Sequence, residues 1–95
     1  MKPFAWDRKK NKDLKKNRNI GFEDIVEILI KEGPVNVFDH PRPEKYPGQK
    51  IFAVRAKGYV FLVPFIETKD TIFLKTIFPS RKAKKKFLKN GEGDV

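Results

Sequence analysis

A chain of 95 residues with 22 Lys and Arg against 12 Asp and Glu, and therefore a formal net charge of +10, makes one small domain spanning 1–95, without room for a second lobe or a buried cofactor pocket. The sequence has no cysteine, which excludes a disulfide framework and a thiolate metal site and fits a reducing cytoplasm. Such a positive excess concentrates polyanions, so nucleic acid is the first partner to consider.

In chain order, Phe4-Ala5-Trp6 reads as an apolar stub suited to an added edge strand, and Asp7 as the N-cap of a helix over 8–18. That helix has one large apolar residue, Leu14, so it lacks an ordinary docking stripe; Trp6 before it and Ile20 after it are expected to pin its ends. Asn19 and Gly21 suit a cap and a fresh start. Phe22, Ile25, Val26 and Leu29 then recur at helical spacing over 22–32, giving a second helix expected to cover a sheet. Glu23 and Asp24 in its first turn and Lys31 in its last complement the helix dipole, and Gly33-Pro34 stops it. No run has the apolar core of a signal peptide or the length of a membrane span, so the chain reads as a soluble cytoplasmic protein.

Val35 to Phe38 reads as one more short strand. The segment from Asp39 to Lys50 is a polar loop punctuated by three prolines and a glycine, stiff enough to present side chains with little ordering entropy left to lose. Three strands follow, at 51–56, 59–63 and 71–78, where β-branched and aromatic residues crowd between turn formers. Lys57-Gly58 and Thr68-Lys69-Asp70 are short links, so an antiparallel meander is expected with the second strand central. Pro64 offers no ladder donor and is placed at a bulge or at the end of regular pairing. Pro79-Ser80 then caps a short basic helix from Arg81, ended by Asn90-Gly91, with a tail to Val95 expected to fray. The fold class is α+β: N-terminal helices on a small antiparallel sheet of three or four strands, followed by the basic helix.

Charge is unevenly placed. Seven Lys and Arg lie between Arg8 and Arg18 and six between Arg81 and Lys89, so thirteen of the 22 occupy two short segments; these either contact nucleic acid or form solvated helix faces. Arg81 stands at a helix start, where a guanidinium and free N–H groups can both face a phosphate. Lys75 and Arg55 interrupt apolar strands and are either snorkelling or aimed at a ligand. His40, the only histidine, suits acid–base work at neutral pH or is an ordinary turn residue beside Pro41. Tyr46 either stacks on an unpaired base or pins its loop to the sheet. Lys45, Lys50, Lys82 and Lys85 complete the candidate RNA-binding set with Arg55. One histidine and scattered carboxylates make no recognisable metal-ligand set, and no cofactor is expected.

Several short stretches, taken in order, resemble the BrnT-type toxins of prokaryotic toxin–antitoxin pairs, which share the RelE-like small ribonuclease fold. Phe4-Ala5-Trp6-Asp7 followed by Lys10-Asn11 is similar to that family's opening, and Gly21-Phe22-Glu23-Asp24 to the start of its second helix. Ile77-Phe78-Pro79-Ser80-Arg81-Lys82-Ala83 resembles its junction into the last helix, and His40-Pro41 through Tyr46-Pro47-Gly48-Gln49-Lys50 a motif of one branch. Arg18-Asn19-Ile20-Gly21 departs from the family, which often has a His there, and Phe87 stands where a Tyr is common. The resemblance implies a metal-independent endoribonuclease acting on messenger RNA, with Arg81, His40, Tyr46 and Lys75 as catalytic candidates, neutralised by a cognate antitoxin of ribbon-helix-helix type. A non-catalytic RNA- or ribosome-binding module, and an interaction domain for an acidic protein, are the alternative readings of the same basic surface.

Overall fold

Asp7 ends β1 (Phe4–Trp6) and starts α1 (Arg8–Arg18): its Oδ1 accepts from the N–H of Lys9 at 2.8 Å and of Lys10 at 3.2 Å, two of the amide protons that a helix N-terminus leaves unpaired. These and the following coordinates come from a computed structural model, which describes residues 2–88. The expected helix end at Asn90-Gly91 and the tail to Val95 lie outside the described residues. Asn19, left-handed at φ 57°, closes α1 through its N–H to the Lys15 carbonyl at 3.1 Å.

The helix α2 (Phe22–Lys31) begins at Gly21, which has no side chain to cap it. Asn11 of α1 supplies the cap instead: its Oδ1 accepts from the buried Phe22 N–H at 2.7 Å, and its Nδ2 donates to Glu23 Oε2 at 3.0 Å. Lys15 Nζ reaches the same carboxylate oxygen at 3.0 Å, and Asp24 Oδ2 accepts from the Gly21 N–H at 2.9 Å. A side chain on residue 21 would displace this cluster: a Cβ there would lie 2.6 Å from Lys15 Cε, 2.7 Å from Glu23 Oε1 and 3.0 Å from Asn11 Oδ1. Leu14 is buried as well, so α1 docks through one apolar and one amide side chain, with Trp6 stacked on Phe22 at 5.7 Å.

The sheet has six strands, which corrects the expectation of three or four in a purely antiparallel sheet. Its order is β1-β5-β4-β3-β2, built from β2 (Asn36–Asp39), β3 (Gln49–Ala56), β4 (Tyr59–Glu67) and β5 (Ile72–Leu74), with β6 (Phe78–Pro79) also on β4. The pairing is mixed because β1 runs parallel to β5, while every other pair is antiparallel. Lys57 and Gly58 both take positive φ, 55° and 73°, the requirement of a type I′ hairpin turn.

Pro64 explains the extra strand. Between β3 and β4 the ladder is unbroken from Gln49↔Ile66 to Ala56↔Tyr59, because Pro64 turns its backbone nitrogen and oxygen to the other side. There its carbonyl accepts from the Lys75 N–H at 2.8 Å, but the reciprocal bond has no donor. Phe65 pairs with Leu74 and Leu62 with Phe78, so Val63 and Pro64 face three residues, Lys75 to Ile77. This is a bulge; it divides the single strand expected over 71–78 into β5 and β6.

Each face of the sheet has its own cover. Leu14, Ile20, Phe22, Ile25 and Leu29 pack with Val54, Ala56, Phe61, Val63, Phe65, Leu74 and Ile77 on one face. On the other, Ala83 of α3 (Arg81–Leu88) packs on Ala53 and Val60, flanked by Phe38, Leu62 and Phe87. Ser80 starts α3, its Oγ accepting from the Ala83 N–H at 3.0 Å.

Asn11→Ala would leave the buried Phe22 N–H without a partner, a loss of about 1–3 kcal/mol. Urea unfolding should show a lower midpoint with an unchanged slope. Glu23 carries the pH dependence of the same junction. Its carboxyl is held below the usual range, first by the Asn11 hydrogen bond and then by its own backbone N–H and by Lys15. A depressed folded-state pKa stabilises above the unfolded value and is lost as pH falls through the folded one. The stability difference between the parent and Glu23→Gln should therefore shrink as pH is lowered through the carboxylate range.

Candidate nucleic-acid interface

The two basic segments fold into α1 and α3, which lie on opposite faces of the sheet. Arg8, Lys9, Lys10, Lys12, Lys15, Lys16 and Arg18 are exposed on α1, and Arg81, Lys82, Lys84, Lys85 and Lys86 on α3. A flat, continuous basic surface is therefore not what the fold builds. The helices approach one another at one end, where the last turn of α1 and the first turn of α3 flank the start of β4.

Four observations define that end. Arg18 Nη1 donates to the Ile77 carbonyl, which lies in the bulge between β5 and β6. Lys57 Nζ donates to the Asn19 carbonyl at the end of α1. The Ser80 N–H donates to the Val60 carbonyl at 3.0 Å, seating α3 beside β4. Lys84 of α3 then brings its Nζ to 4.8 Å from the ring centroid of Tyr59, a cation–π contact. Arg18, Tyr59, Phe61 and Pro79 line an open groove of about 340 Å³ at this place. Among the described residues the only ion pairs are Lys2–Glu67, Lys15–Glu23 and Lys31–Glu27, so Arg18, Lys57, Arg81 and Lys84 are free of carboxylates.

A second open groove, of about 560 Å³, lies between β1 and α1 and is lined by Trp6, Arg8, Lys12, Lys15 and Glu23 among others. It is less suited to an anion. Glu23 stands in its wall and already holds Lys15 at 3.0 Å.

The fold separates the catalytic candidates. Arg81 follows Ser80, which is tied to Val60, near the start of β4. His40 and Tyr46 belong to the β2–β3 loop, whose closing bond from the His40 N–H to the Gln49 carbonyl is 3.0 Å, and Gln49 pairs with Ile66 near the end of β4. Six residues of strand at a rise of about 3.3 Å put these ends roughly 20 Å apart. Lys75 stands between them along the strand direction, opposite Pro64. It lies in the bulge instead of the expected strand, and its Nζ is 5.5 Å from the Phe73 ring centroid.

Within the loop, Tyr46 packs on His40 with ring centroids 4.3 Å apart, so the loop aromatic pairs with the histidine. Arg42 N–H donates to His40 Nδ1 at 3.1 Å, leaving Nε2 to carry the proton of the neutral ring. Tyr46-Pro47-Gly48-Gln49 closes as a turn, with Gln49 N–H on the Tyr46 carbonyl at 3.2 Å and Gly48 at φ 76°, the position where a type II turn requires glycine. Lys45 Nζ stands 5.8 Å from the Tyr46 ring centroid. Lys50 lies in register with Asp39 and Phe65. Its charge helps to lower the Glu67 carboxyl, after the larger effect of Lys2. Arg55 is exposed on β3, opposite Val60, on the face that carries α3 with Lys82 and Lys85.

Arg18 and Lys84 fall within the two basic segments that the sequence marks for nucleic-acid contact, whereas Lys57 and Tyr59 stand out in it only as a turn and a strand start. Tyr59 follows the Lys57-Gly58 turn, which could have marked it as a strand-end aromatic; nothing local links it to Arg18 or Lys84. Compared with protein-family models, curated proteins and solved structures, the chain finds no match.

Proposed function

We propose that this chain is the toxin of a toxin–antitoxin pair, with a RelE-like fold, and that it acts on messenger RNA as a metal-independent endoribonuclease. The observation that carries the RNA reading is the meeting of two basic helix ends, bearing Arg18, Arg81 and Lys84, with the Lys57 turn beside an aromatic-lined groove. Charge attracts the phosphate backbone, and an aromatic ring accepts an unpaired base by stacking. The resemblance to BrnT-type toxins adds the cleavage step and the antitoxin partner, a ribbon-helix-helix protein that covers the basic surface. Arg81 is the phosphate-stabilising group in this reading. No helix among the described residues is long and apolar enough to cross a membrane.

The separation of Arg81 from His40 and Tyr46 favours a second reading, an RNA- or ribosome-binding module that does not cut. One experiment distinguishes the two. Affinity for a short single-stranded RNA should fall steeply as salt rises, with a log–log slope of about 0.7 per phosphate contacted; a flat response removes RNA from the account. In single-turnover assays with EDTA present, Arg81→Lys keeps the charge but loses the planar fork, so cleavage should drop about a hundredfold or more while binding persists. Parental cleavage by Arg81→Lys excludes Arg81 as the phosphate-stabilising group, and binding by the parent without any cleavage selects the second reading.

The antitoxin is tested by co-purification with the product of the neighbouring gene. The complex should form and lose RNA binding. A complex that binds RNA as the free chain does would contradict occlusion.

A further inference from the structure

We infer that the groove bounded by Arg18, Tyr59, Phe61 and Pro79 is a nucleotide pocket that takes one unpaired base of a single-stranded RNA against Tyr59, with Lys84 and Arg18 on the flanking phosphates. The inference deepens the RNA reading above and rests on it.

The groove has the chemistry that a nucleotide needs and little that it does not. Tyr59 is half-buried, fixed from below by its packing on the core cluster and beside Phe61 at 6.0 Å, so its ring is held without further ordering. Pro79 and Phe61 add apolar walls that hydrogen-bond to no base in particular. A site built this way accepts any base by its π-face, because stacking does not depend on the hydrogen-bonding edge.

The charges are placed by the fold. Arg18 is anchored through Nη1 on the Ile77 carbonyl, a group released from regular pairing by the bulge opposite Pro64. That bond uses one of the five N–H donors of a guanidinium and leaves others for a phosphate. Lys84 holds the Tyr59 ring by a cation–π contact at 4.8 Å. Its stem is flexible and its ammonium unpaired among the described residues, so it can swing to a phosphate when a base takes its place on the ring. Lys57, bound to the Asn19 carbonyl, keeps a further positive charge at the rim. The long reach of three separate segments, 18, 57–61 and 79–84, onto one groove makes it a pocket of the folded chain.

The test uses the full chain and a short single-stranded RNA carrying one fluorescent aminopurine, whose emission is quenched when it stacks. The parent should quench it at low salt. Tyr59→Leu keeps apolar bulk but has no ring, so affinity should fall about tenfold to a hundredfold and the quenching should disappear; Tyr59→Phe restores the ring and should recover the quenching. Lys84→Gln, at an exposed position on α3, should lower the salt slope by about 0.7, the value of one phosphate contact on a single strand. Lys31→Gln removes the same charge from α2, away from the groove, and should leave the quenching as it is. Parental affinity and quenching in folded Tyr59→Leu, or a parental salt slope in Lys84→Gln, would overturn the pocket while leaving RNA binding elsewhere intact. A parent that binds no RNA at low salt would instead overturn the RNA reading itself.

Discussion

One missing hydrogen bond donor shapes the end of this molecule where α1, β4 and α3 meet. Pro64 sits in the central strand with its backbone nitrogen toward β5 and β6, and a strand laid against it cannot complete the reciprocal bond. The chain answers by inserting one residue, so β5 and β6 are offset by a bulge at Lys75 to Ile77. The bulge leaves the Ile77 carbonyl for Arg18 of α1, and β6 then delivers Ser80 and the start of α3 beside Val60. The ends of two helices on opposite faces of the sheet are brought together by one irregularity in one strand.

A second polar device holds the other side of the molecule. The helix α1 carries a strong positive charge and almost no apolar surface, and an isolated helix of its length would not persist in water. Asn11 supplies what Leu14 alone cannot. Its amide satisfies the first free N–H of α2 and a carboxylate oxygen of Glu23 together, so docking α1 also completes α2. Gly21 leaves the space that this polar cluster fills. The arrangement lets nearly every other side chain of α1 face solvent, and it is this that leaves so much basic surface available.

The distribution of charge in the fold differs from what composition alone conveys. A positive excess attracts polyanions from a distance, but the cations are not equally available: Lys15 is taken by Glu23 and Lys2 by Glu67, whereas the groups around Tyr59 have no acidic neighbours bonded to them among the described residues. The loop of His40 and Tyr46 is a separate, internally packed unit at the far end of β4. It is held together by two turns and a ring contact, which serve the loop whether or not it meets a ligand.

What the sequence determined by itself is local. The Asp7 cap, the left-handed Asn19, the apolar stripe of α2, the Lys57-Gly58 turn and the Ser80 cap each depend on residues within a few positions, whose steric and hydrogen-bonding preferences act whatever the rest of the chain does. Pro64 announced a fault in the ladder because its chemistry is the same in any strand. Tertiary structure decided the rest: that β1 pairs parallel to β5, that Asn11 is buried, that the two basic helices take opposite faces, and that Arg18, Tyr59 and Lys84 share one groove. Those outcomes depend on register and on which face each element covers. Both are set by packing between segments far apart in the chain, as with Trp6 and Leu74 or Arg18 and Ile77, and no periodicity within a single segment carries that information.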